Sequence, residues 1–391
     1  MQAIKITENI YWVGAIDWDL RNFHGYLTQR GSTYNSYLIL DDKITLIDNV
    51  KDYLAEEQIS RIKSIIDPAE IDYIIQNHIE MDHSGSLPIL KDMIDDVEIY
   101  ISPKGAEGIP KHFDIKEEEF NVVKSGDELD LGERTLQFLQ TPMVHWPDNM
   151  VSYCEEENLL FSNDAFGQHL ASSERFDDEF SADITMEEAK KYYANIVMPY
   201  GRQVQRALDA LKDKKVKTIC PSHGLIWRED TEKIIQKYKK WSRNQVDDKA
   251  LIIYDTMWQS TKKMAYAIQE AFSKKNYKTR LLNLQHNHIS DIMTELLNAK
   301  YICVGSPTLN NNILPTVSAF LTYMKGLSPK DRIGLAFGSY GWSGQSVKII
   351  ENILKDCGFE TMDNIKIQYR PDKETLEEIT KKIKNYLTEE K

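Results

Sequence analysis

The sequence predicts an α/β protein of two domains, a layered structure of strands and helices followed by a doubly wound parallel sheet. A chain of 391 residues is longer than one typical hydrophobic core. Short apolar runs rich in β-branched and aromatic residues recur between residues 10 and 224. Strand and helix candidates then alternate strictly from about residue 250 onward. We expect one domain over residues 1–247 and a second over residues 248–391.

The strands of the first domain are predicted by segments separated, in some cases, by turn residues such as DDK and EEEN. The segments are IYWVGAI, SYLIL with KITLID, IDYIIQ, VEIYIS, TLQFLQ, NLLFS and VKTIC, and helices are expected near residues 54–66 and 186–212. The charged segment 228–250 predicts a helix that fades into a polar stretch. Such a stretch is typical of a domain boundary.

The second domain has five strand candidates, separated by segments with helical periodicity. The strands are LIIY, RLLNL, YICVG, RIGLAFG and IKIQY, and the helices are expected at about residues 261–275, 315–326, 344–356 and 373–388. This alternation favours a doubly wound parallel sheet.

Charge and cysteine usage exclude several classes of protein. Acidic residues outnumber Lys plus Arg by 61 to 48, and no long basic block is present, so we do not expect a nucleic-acid partner. The N-terminus MQAIKITENIYWVG has no signal-peptide pattern, and no run of apolar residues is long enough to cross a membrane. The four cysteines are scattered without a CxxC pair, which is typical of buried thiols in a reducing compartment. We expect a cytoplasmic protein.

Seven residues with side chains that bind metals follow strand candidates of the first domain. They are His78, Glu80, Asp82, His83, His145, Asp164 and His223. The motif HIEMDH follows IDYIIQ, and the others come just after TLQFLQ, LLFS and VKTIC. Loops that leave neighbouring strands can converge at one edge of a layered sheet. Four imidazoles and three carboxylates in this arrangement predict a site for two metal ions.

This spacing resembles that of the flavodiiron proteins, and the resemblance covers nearly the whole chain. It implies a metallo-β-lactamase-like αββα sandwich as the first domain and a non-haem diiron site within it. The implied ligands are His78, Glu80 and His145 for one iron and Asp82, His83 and His223 for the other, with Asp164 as the bridge. It also implies that His24, outside the ligand pattern, lies near the open face of the irons as a catalytic residue that hydrogen-bonds a bound oxygen species. A structural role for His24 or His169 in orienting neighbouring groups is an equally open alternative.

Glu80 stands where related metal hydrolases carry a histidine. A hydrolytic zinc ion keeps its charge, and neutral imidazole ligands suffice for it. An iron pair that cycles between ferrous and ferric states must tolerate two more positive charges, which anionic oxygen ligands favour. Glu80 therefore favours redox iron over zinc.

Three loops of the second domain predict a flavin site. They are rich in Gly, Ser, Thr and Asn and follow strands one, three and four. In a flavodoxin-like sheet, whose strand order is 2-1-3-4-5, these strands end around one crevice. They resemble the FMN loops of flavodoxins and flavodiiron proteins, which implies that the phosphate binds at residues 256–261 and the isoalloxazine between residues 307–312 and 339–344. The residues are Thr256, Met257, Trp258, Gln259, Ser260 and Thr261; Pro307, Thr308, Leu309, Asn310, Asn311 and Asn312; and Ser339, Tyr340, Gly341, Trp342, Ser343 and Gly344.

An FMN and a diferrous pair each store two electrons, so we expect an oxidoreductase that reduces dioxygen to water, nitric oxide to nitrous oxide, or both. The chain ends at Lys391 without a rubredoxin-like module, which suggests a separate electron donor such as rubredoxin. The resemblance also implies a head-to-tail homodimer or a dimer of dimers. Two alternatives stay open: a zinc hydrolase with an accessory flavin domain, and a flavodoxin-like carrier whose metal site is structural.

Overall fold

The computed structural model describes residues 1–389. Within it the chain divides into two compact units, Met1–Tyr193 with Tyr200–Ser242, and Ala194–Pro199 with the chain from Arg243 onward. The domain limits 1–247 and 248–391 stay a prediction. Among the described helices, none combines the length and the hydropathy that a membrane crossing requires.

The first unit contains sixteen strands and seven α-helices, with short 3-10 and π turns between some of them. The elements are β1 Ile4–Lys5, β2 Ile10–Trp12, β3 Ala15–Asp17, β4 Asn22–Phe23, β5 Tyr26–Leu27, β6 Ser32–Tyr34, β7 Tyr37–Ile39, β8 Thr45–Ile47, α1 Ala55–Ile62, β9 Tyr73–Gln76, α2 Met81–Ser84, α3 Leu87–Met93, β10 Glu98–Ile101, α4 Pro103–Gly108, β11 Phe120–Val122, β12 Glu128–Asp130, β13 Thr135–Gln140, β14 Met150–Cys154, β15 Leu159–Asn163, α5 Ala182–Tyr192, α6 Gly201–Ala210, β16 Thr218–Pro221 and α7 Thr231–Ser242. The 3-10 turns are Asp52–Leu54, Pro68–Glu70, Ile109–Lys111, Glu117–Glu119, Asp177–Glu179 and Met198–Tyr200, and Tyr193–Val197 is a π turn. Of the last two segments, residues Ala194–Pro199 belong to the second unit.

Two sheets packed face to face form the centre of this unit. Their strand orders are β1-β2-β7-β8-β9-β10-β11 and β12-β13-β14-β15-β16, and side chains such as Trp12, Phe138 and Phe161 fill the space between them. Helices α1 and α3 cover the outer face of the first sheet through Ile62 and Leu87, and α6 and α7 lie over the second. The predicted αββα sandwich is therefore confirmed.

The second unit is a parallel sheet with helices. Its elements are β17 Asp247–Tyr254, α8 Ser260–Ser273, β18 Lys278–Asn283, α9 Ile289–Leu296, β19 Ala299–Gly305, α10 Pro315–Leu327, β20 Ile333–Tyr340, α11 Ser346–Asp356, β21 Glu360–Thr361, β22 Ile365–Gln368 and α12 Lys373–Glu389. The strand order is β18-β17-β19-β20, with β21 and β22 both paired to β20, and every pairing is parallel. The predicted flavodoxin-like order 2-1-3-4-5 is confirmed.

Two segments differ from the predicted elements for local reasons. The helix expected over residues 186–212 is two helices, α5 and α6, because Pro199 lacks the N–H group that would continue a helix. The run IYWVGAI is split into β2 and β3 at Gly14, where an added Cβ would lie 2.2 Å from the carbonyl oxygen of Tyr34. This close approach brings β3 alongside β6.

Candidate metal centre and flavin site

The seven candidate ligands are brought together from five places in the first unit. His78 and Glu80 follow β9, Asp82 and His83 lie in α2, and the remaining three follow β13, β15 and β16. The groups that could hold a metal ion are His78, Glu80, His145 and Asp164 in one set and Asp82, His83 and His223 in the other, and in each set the ligand atoms lie within 4.8 Å of one another. The strand ends thus converge as the sequence predicts.

Asp164 lies between the two sets, with one carboxylate oxygen toward each. Its Oδ1 is 3.0 Å from Nε2 of His83 and 3.4 Å from Nε2 of His223. Its Oδ2 is 3.0 Å from Nε2 of His145 and 3.5 Å from Nε2 of His78. A carboxylate in this position has the geometry to bridge two cations.

The other two carboxylates each belong to one set. Glu80 Oε2 is 3.4 Å from Nε2 of His78 and 3.5 Å from Nε2 of His145. The two oxygens of Asp82 are each 3.4 Å from an imidazole Nε2, one of His83 and the other of His223. Each set therefore offers two imidazole nitrogens, one carboxylate of its own and one oxygen of Asp164.

Buried polar atoms without partners indicate that this cluster is built for cations. Nε2 of His78, Nε2 of His83 and all four carboxylate oxygens of Asp82 and Asp164 are buried and make no hydrogen bond. Unpaired buried polar atoms are rare in proteins because each carries a desolvation cost of about 1–3 kcal/mol. Metal ions held by these atoms would remove that cost, so the residues fit a two-metal site.

The electrostatics of the cluster also favour cations. Burial alone would raise the pKa of Asp164, but the charge of His83 and the close approach of the His145 and His83 rings hold the pKa well below its usual range. Burial would also raise the pKa of Glu80, but the interaction with His78 outweighs this effect and lowers the pKa to about 2. Burial alone would lower the pKa of His83, but the nearby carboxylates Asp82 and Asp164 raise it to about 9. Glu80 and Asp164 thus remain ionised and place negative charge beside the ligand atoms.

Two groups that orient the imidazole rings were not predicted from the sequence. His78 donates its Nδ1–H to Asp148 Oδ2 at 2.7 Å, and the same oxygen accepts the backbone N–H of Ile79 at 2.8 Å. His223 donates its Nδ1–H to the carbonyl oxygen of Thr33 at 2.8 Å. In both rings this fixes Nε2 as the atom that faces the cluster. The only sequence signal for Asp148 is its place three residues after His145 in HWPD.

Replacing Asp148 by Asn should weaken metal binding by about 10- to 100-fold, because an amide cannot hold the His78 tautomer as a carboxylate does. The measurement is metal affinity by competition with a chromophoric chelator. Asp183→Asn, at an exposed carboxylate in the first turn of α5, is the matched control and should change nothing. Equal affinities for both variants would show that Asp148 does not position the ligand.

A cavity of about 630 Å³ opens onto the cluster. It is lined by Asn22, Phe23, His24, Lys51, Asp52, Glu80, Met81, Asp82, His112, His145 and Trp146. His24 Nε2 lies 3.3 Å from Glu80 Oε1, and 74% of the His24 side chain is exposed. The catalytic role of His24 stays a prediction. His169 is buried instead: its Nδ1 is 2.8 Å from Ser32 Oγ and its ring centroid 4.8 Å from that of His223. This position fits the orienting role considered for His169.

A second cavity, of about 590 Å³, lies among the predicted flavin loops of the second unit. The predicted residues that line it are Met257, Trp258, Ser260, Pro307, Thr308, Leu309, Asn310, Ser339, Tyr340, Gly341 and Trp342. The other predicted residues, which lie outside this lining, are Thr256, Gln259, Thr261, Asn311, Asn312, Ser343 and Gly344. Tyr369 and Arg370, just after β22, complete the lining and were not predicted. Trp258 and Trp342 are 88% and 78% exposed, so their side chains are open to a stacking partner.

The loop before α8 fits a phosphate. The hydroxyl oxygen of Thr256 is buried without a hydrogen-bond partner, and α8 begins at Ser260, where the first N–H groups of a helix favour an anion. Asp255 holds the loop in place by accepting hydrogen bonds from Thr256 N at 2.6 Å, Gln285 Nε2 at 2.6 Å and Thr316 Oγ1 at 2.5 Å. Thr261 and Ser339 join two of the loops through their hydroxyls, 3.1 Å apart.

Comparison with known proteins gives matches over both units. Residues 33–224 match the family model described as ODP family beta lactamase, and residues 252–383 match the flavodoxin model. The chain is 45% identical over 363 residues to a nitric oxide reductase of Moorella thermoacetica, which covers 92% of this chain and 91% of that protein.

Two solved structures are similar over almost their whole lengths. The rubredoxin oxygen:oxidoreductase from Desulfovibrio gigas superposes with a TM-score of 0.96 at 41% identity, covering 99% of each chain. The flavodiiron protein from Giardia intestinalis superposes with a TM-score of 0.94 at 33% identity, covering 98% of this chain and 96% of that one.

Proposed function

Since the chain belongs to the flavodiiron proteins, we propose that it reduces dioxygen to water, nitric oxide to nitrous oxide, or both, with electrons from an external donor. It is an oxidoreductase with FMN and two iron ions as cofactors. When bound, the FMN relays electrons and the irons supply the redox centre at which the gas is reduced. Neither the zinc-hydrolase nor the carrier alternative is favoured by a feature of the site.

The observation that carries the proposal is the bridging position of Asp164 between two nearly equivalent sets of ligand atoms. We assign His78, Glu80, His145 and one oxygen of Asp164 to the first iron. Asp82, His83, His223 and the other oxygen of Asp164 are assigned to the second. With three carboxylates, the two sites together suit hard, oxidisable iron.

In the second unit, we assign the phosphate of FMN to the loop at residues 256–261 and the isoalloxazine to the cavity between Trp258, Pro307 and Trp342. The buried hydroxyl of Thr256 and the exposed indole rings support this arrangement. Tyr369 and Arg370, which line the same cavity, are added to the proposed site.

Stopped-flow mixing of the anaerobically reduced protein with dioxygen, and separately with nitric oxide, tests the proposal. With FMN and iron contents known, we expect fast reoxidation of both centres by at least one gas, and the faster reaction names the preferred substrate. Gas electrodes should show the matching consumption in steady state. Slow reoxidation by both gases, with iron near two per chain, would contradict the proposed activity.

The donor and the assembly belong to the same proposal. The solved relative from Desulfovibrio gigas is named for rubredoxin, and we propose a rubredoxin-type protein as the donor here. A head-to-tail homodimer, or a dimer of dimers, would place the flavin of one chain beside the irons of its partner. We also propose a cytoplasmic location, which accords with the four cysteines, all buried and with free thiols.

A further inference from the structure

The cavity proposed for the flavin contains a single cation. Arg370 is the one charged residue among the described residues that line this cavity, and neither Asp nor Glu is among them. Arg370 also lines a groove of about 910 Å³ between α8 and α12, so it lies at the border between the cavity and that groove. In a cavity with otherwise uncharged walls, the guanidinium group dominates the local electrostatic potential.

The chain provides no counter-ion for this cation. Arg370 forms no ion pair with any of the described residues. The nearest acidic residue along the chain, Asp372, instead accepts hydrogen bonds from the backbone N–H and the hydroxyl of Thr375, at 2.9 Å and 2.6 Å. Nζ of Lys373 lies 3.7 Å from Oε1 of Glu377. In a chain with a formal net charge of −13 acidic partners are abundant, and their absence here leaves the charge of Arg370 available to a bound group.

Backbone contacts hold Arg370 at the edge of the cavity. Tyr369 donates its backbone N–H to the carbonyl oxygen of Tyr340 at 2.7 Å, and Gln368 Nε2 donates to the carbonyl oxygen of Gly341 at 2.9 Å. Tyr369 has a φ of 59°, in the left-handed region, which residues other than glycine adopt rarely and at an energetic cost. Such strained residues are concentrated at functional sites. At this bend the side chains of Tyr369 and Arg370 both line the cavity.

We propose that Arg370 raises the reduction potential of the bound flavin by stabilising the charge that reduction places on its ring, an inference that rests on the proposed function. Near neutral pH, full reduction of a flavin takes two electrons, here from the external donor, and one proton from solvent, so the ring gains one negative charge. A positive charge in the same cavity stabilises this state more than the neutral oxidised ring. Arginine suits this role because its guanidinium group stays charged.

Two other roles for Arg370 differ from this one in the state of FMN that they favour. A contact with the phosphate, or a role in shaping the cavity, would contribute equally to the binding of oxidised and reduced FMN, because only the ring changes its charge. A cation that acts on the ring strengthens the binding of reduced FMN in particular. The ratio of the two affinities is linked to the midpoint potential, and a tenfold change in this ratio corresponds to about 30 mV for a two-electron couple.

Potentiometric titration of the flavin absorbance in the full-length protein, loaded with iron and FMN, tests the proposal. In Arg370→Gln we expect the affinity for reduced FMN, relative to oxidised FMN, to fall about tenfold, which lowers the midpoint potential by about 30 mV. Arg370→Lys keeps the charge, so the ratio should stay within about threefold of the unmodified value, whereas the reversed charge in Arg370→Glu should lower it about 100-fold.

Lys274→Gln is the matched control. It removes a cation that lines the same groove, but Lys274 follows the end of α8 and lies outside the lining of the flavin cavity. Its midpoint potential should equal that of the unmodified protein.

Equal losses of affinity for oxidised and reduced FMN in Arg370→Gln would overturn the proposal and make Arg370 a residue that binds FMN without tuning it. An unchanged potential in Arg370→Gln and Arg370→Glu would overturn it as well. The titration requires no gas, so its outcome does not depend on turnover. A protein that consumed neither gas would contradict the proposed function, while the potentials would still decide the role of Arg370.

Discussion

Replacing Glu80 by Ala should leave a protein that holds FMN but little iron, with gas consumption reduced by more than about 100-fold. Glu80 Oε2 is within 3.5 Å of Nε2 of both His78 and His145. Without it the first iron would keep two neutral imidazoles and one oxygen of Asp164. Such a set has only a share of the Asp164 charge, which is less negative charge than ferric iron favours. The measurements are iron content by elemental analysis, FMN content by absorbance, and gas consumption at saturating donor.

One further variant separates the charge of Glu80 from its role as a ligand, and a second variant, at a distant carboxylate, is the control. Glu80→His keeps a ligand atom but removes the charge, so we expect it to bind zinc in preference to iron and to lose gas reduction. Glu107→Ala removes a carboxylate of the exposed pair with Lys104 on α4 and should match the unmodified protein. Full iron content and normal turnover in Glu80→Ala would remove this residue from the proposed ligands.

The parts of the site that the sequence can predict are side chains placed by regular elements. His78, Asp164 and His223 each follow a buried apolar strand, and parallel or stacked strands bring their ends together whatever the intervening loops do. Metal-binding side chains at several such positions therefore predict one site. The parallel class of the second sheet is predictable for a similar reason, because alternation of strand and helix leaves few topologies, whereas its strand order was expected from the resemblance to flavodoxins.

The parts that could not be predicted depend on atoms without a sequence signature. The carbonyl of Thr33 that orients His223 would be present whatever the side chain at that position. Asp148 looks like any acidic residue in a turn until its carboxylate is found beside His78. Tyr369 and Arg370 reach the proposed flavin cavity only because β22 pairs with β20, which places the loop after β22 beside Tyr340. Tertiary pairing, rather than local pattern, decides all three.

Replacing Thr256 by Leu should weaken FMN binding by at least about 100-fold and leave the iron content unchanged. Its hydroxyl is buried, has no partner within the protein and stands just before the start of α8. A phosphate there would be the missing partner, and a charge-assisted hydrogen bond contributes about 1.5–3 kcal/mol. Leucine removes this bond and adds a branched apolar side chain where the phosphate must lie. Fluorescence titration of the apoprotein with FMN measures the change in affinity.

Thr256→Ser is the matched control, because it keeps the hydroxyl and removes only a methyl group. Its FMN affinity should remain within about threefold of the unmodified value, since the hydrogen bond carries most of the effect. Thr256→Val, which keeps the shape and lacks the hydroxyl, should fall between Ser and Leu. If Val bound FMN as tightly as Ser, the hydroxyl would not contact the phosphate, and the loss in Leu would reflect steric exclusion alone. If Leu lost iron as well, the two units would depend on each other for folding, whereas the site geometry within each unit predicts independent loading.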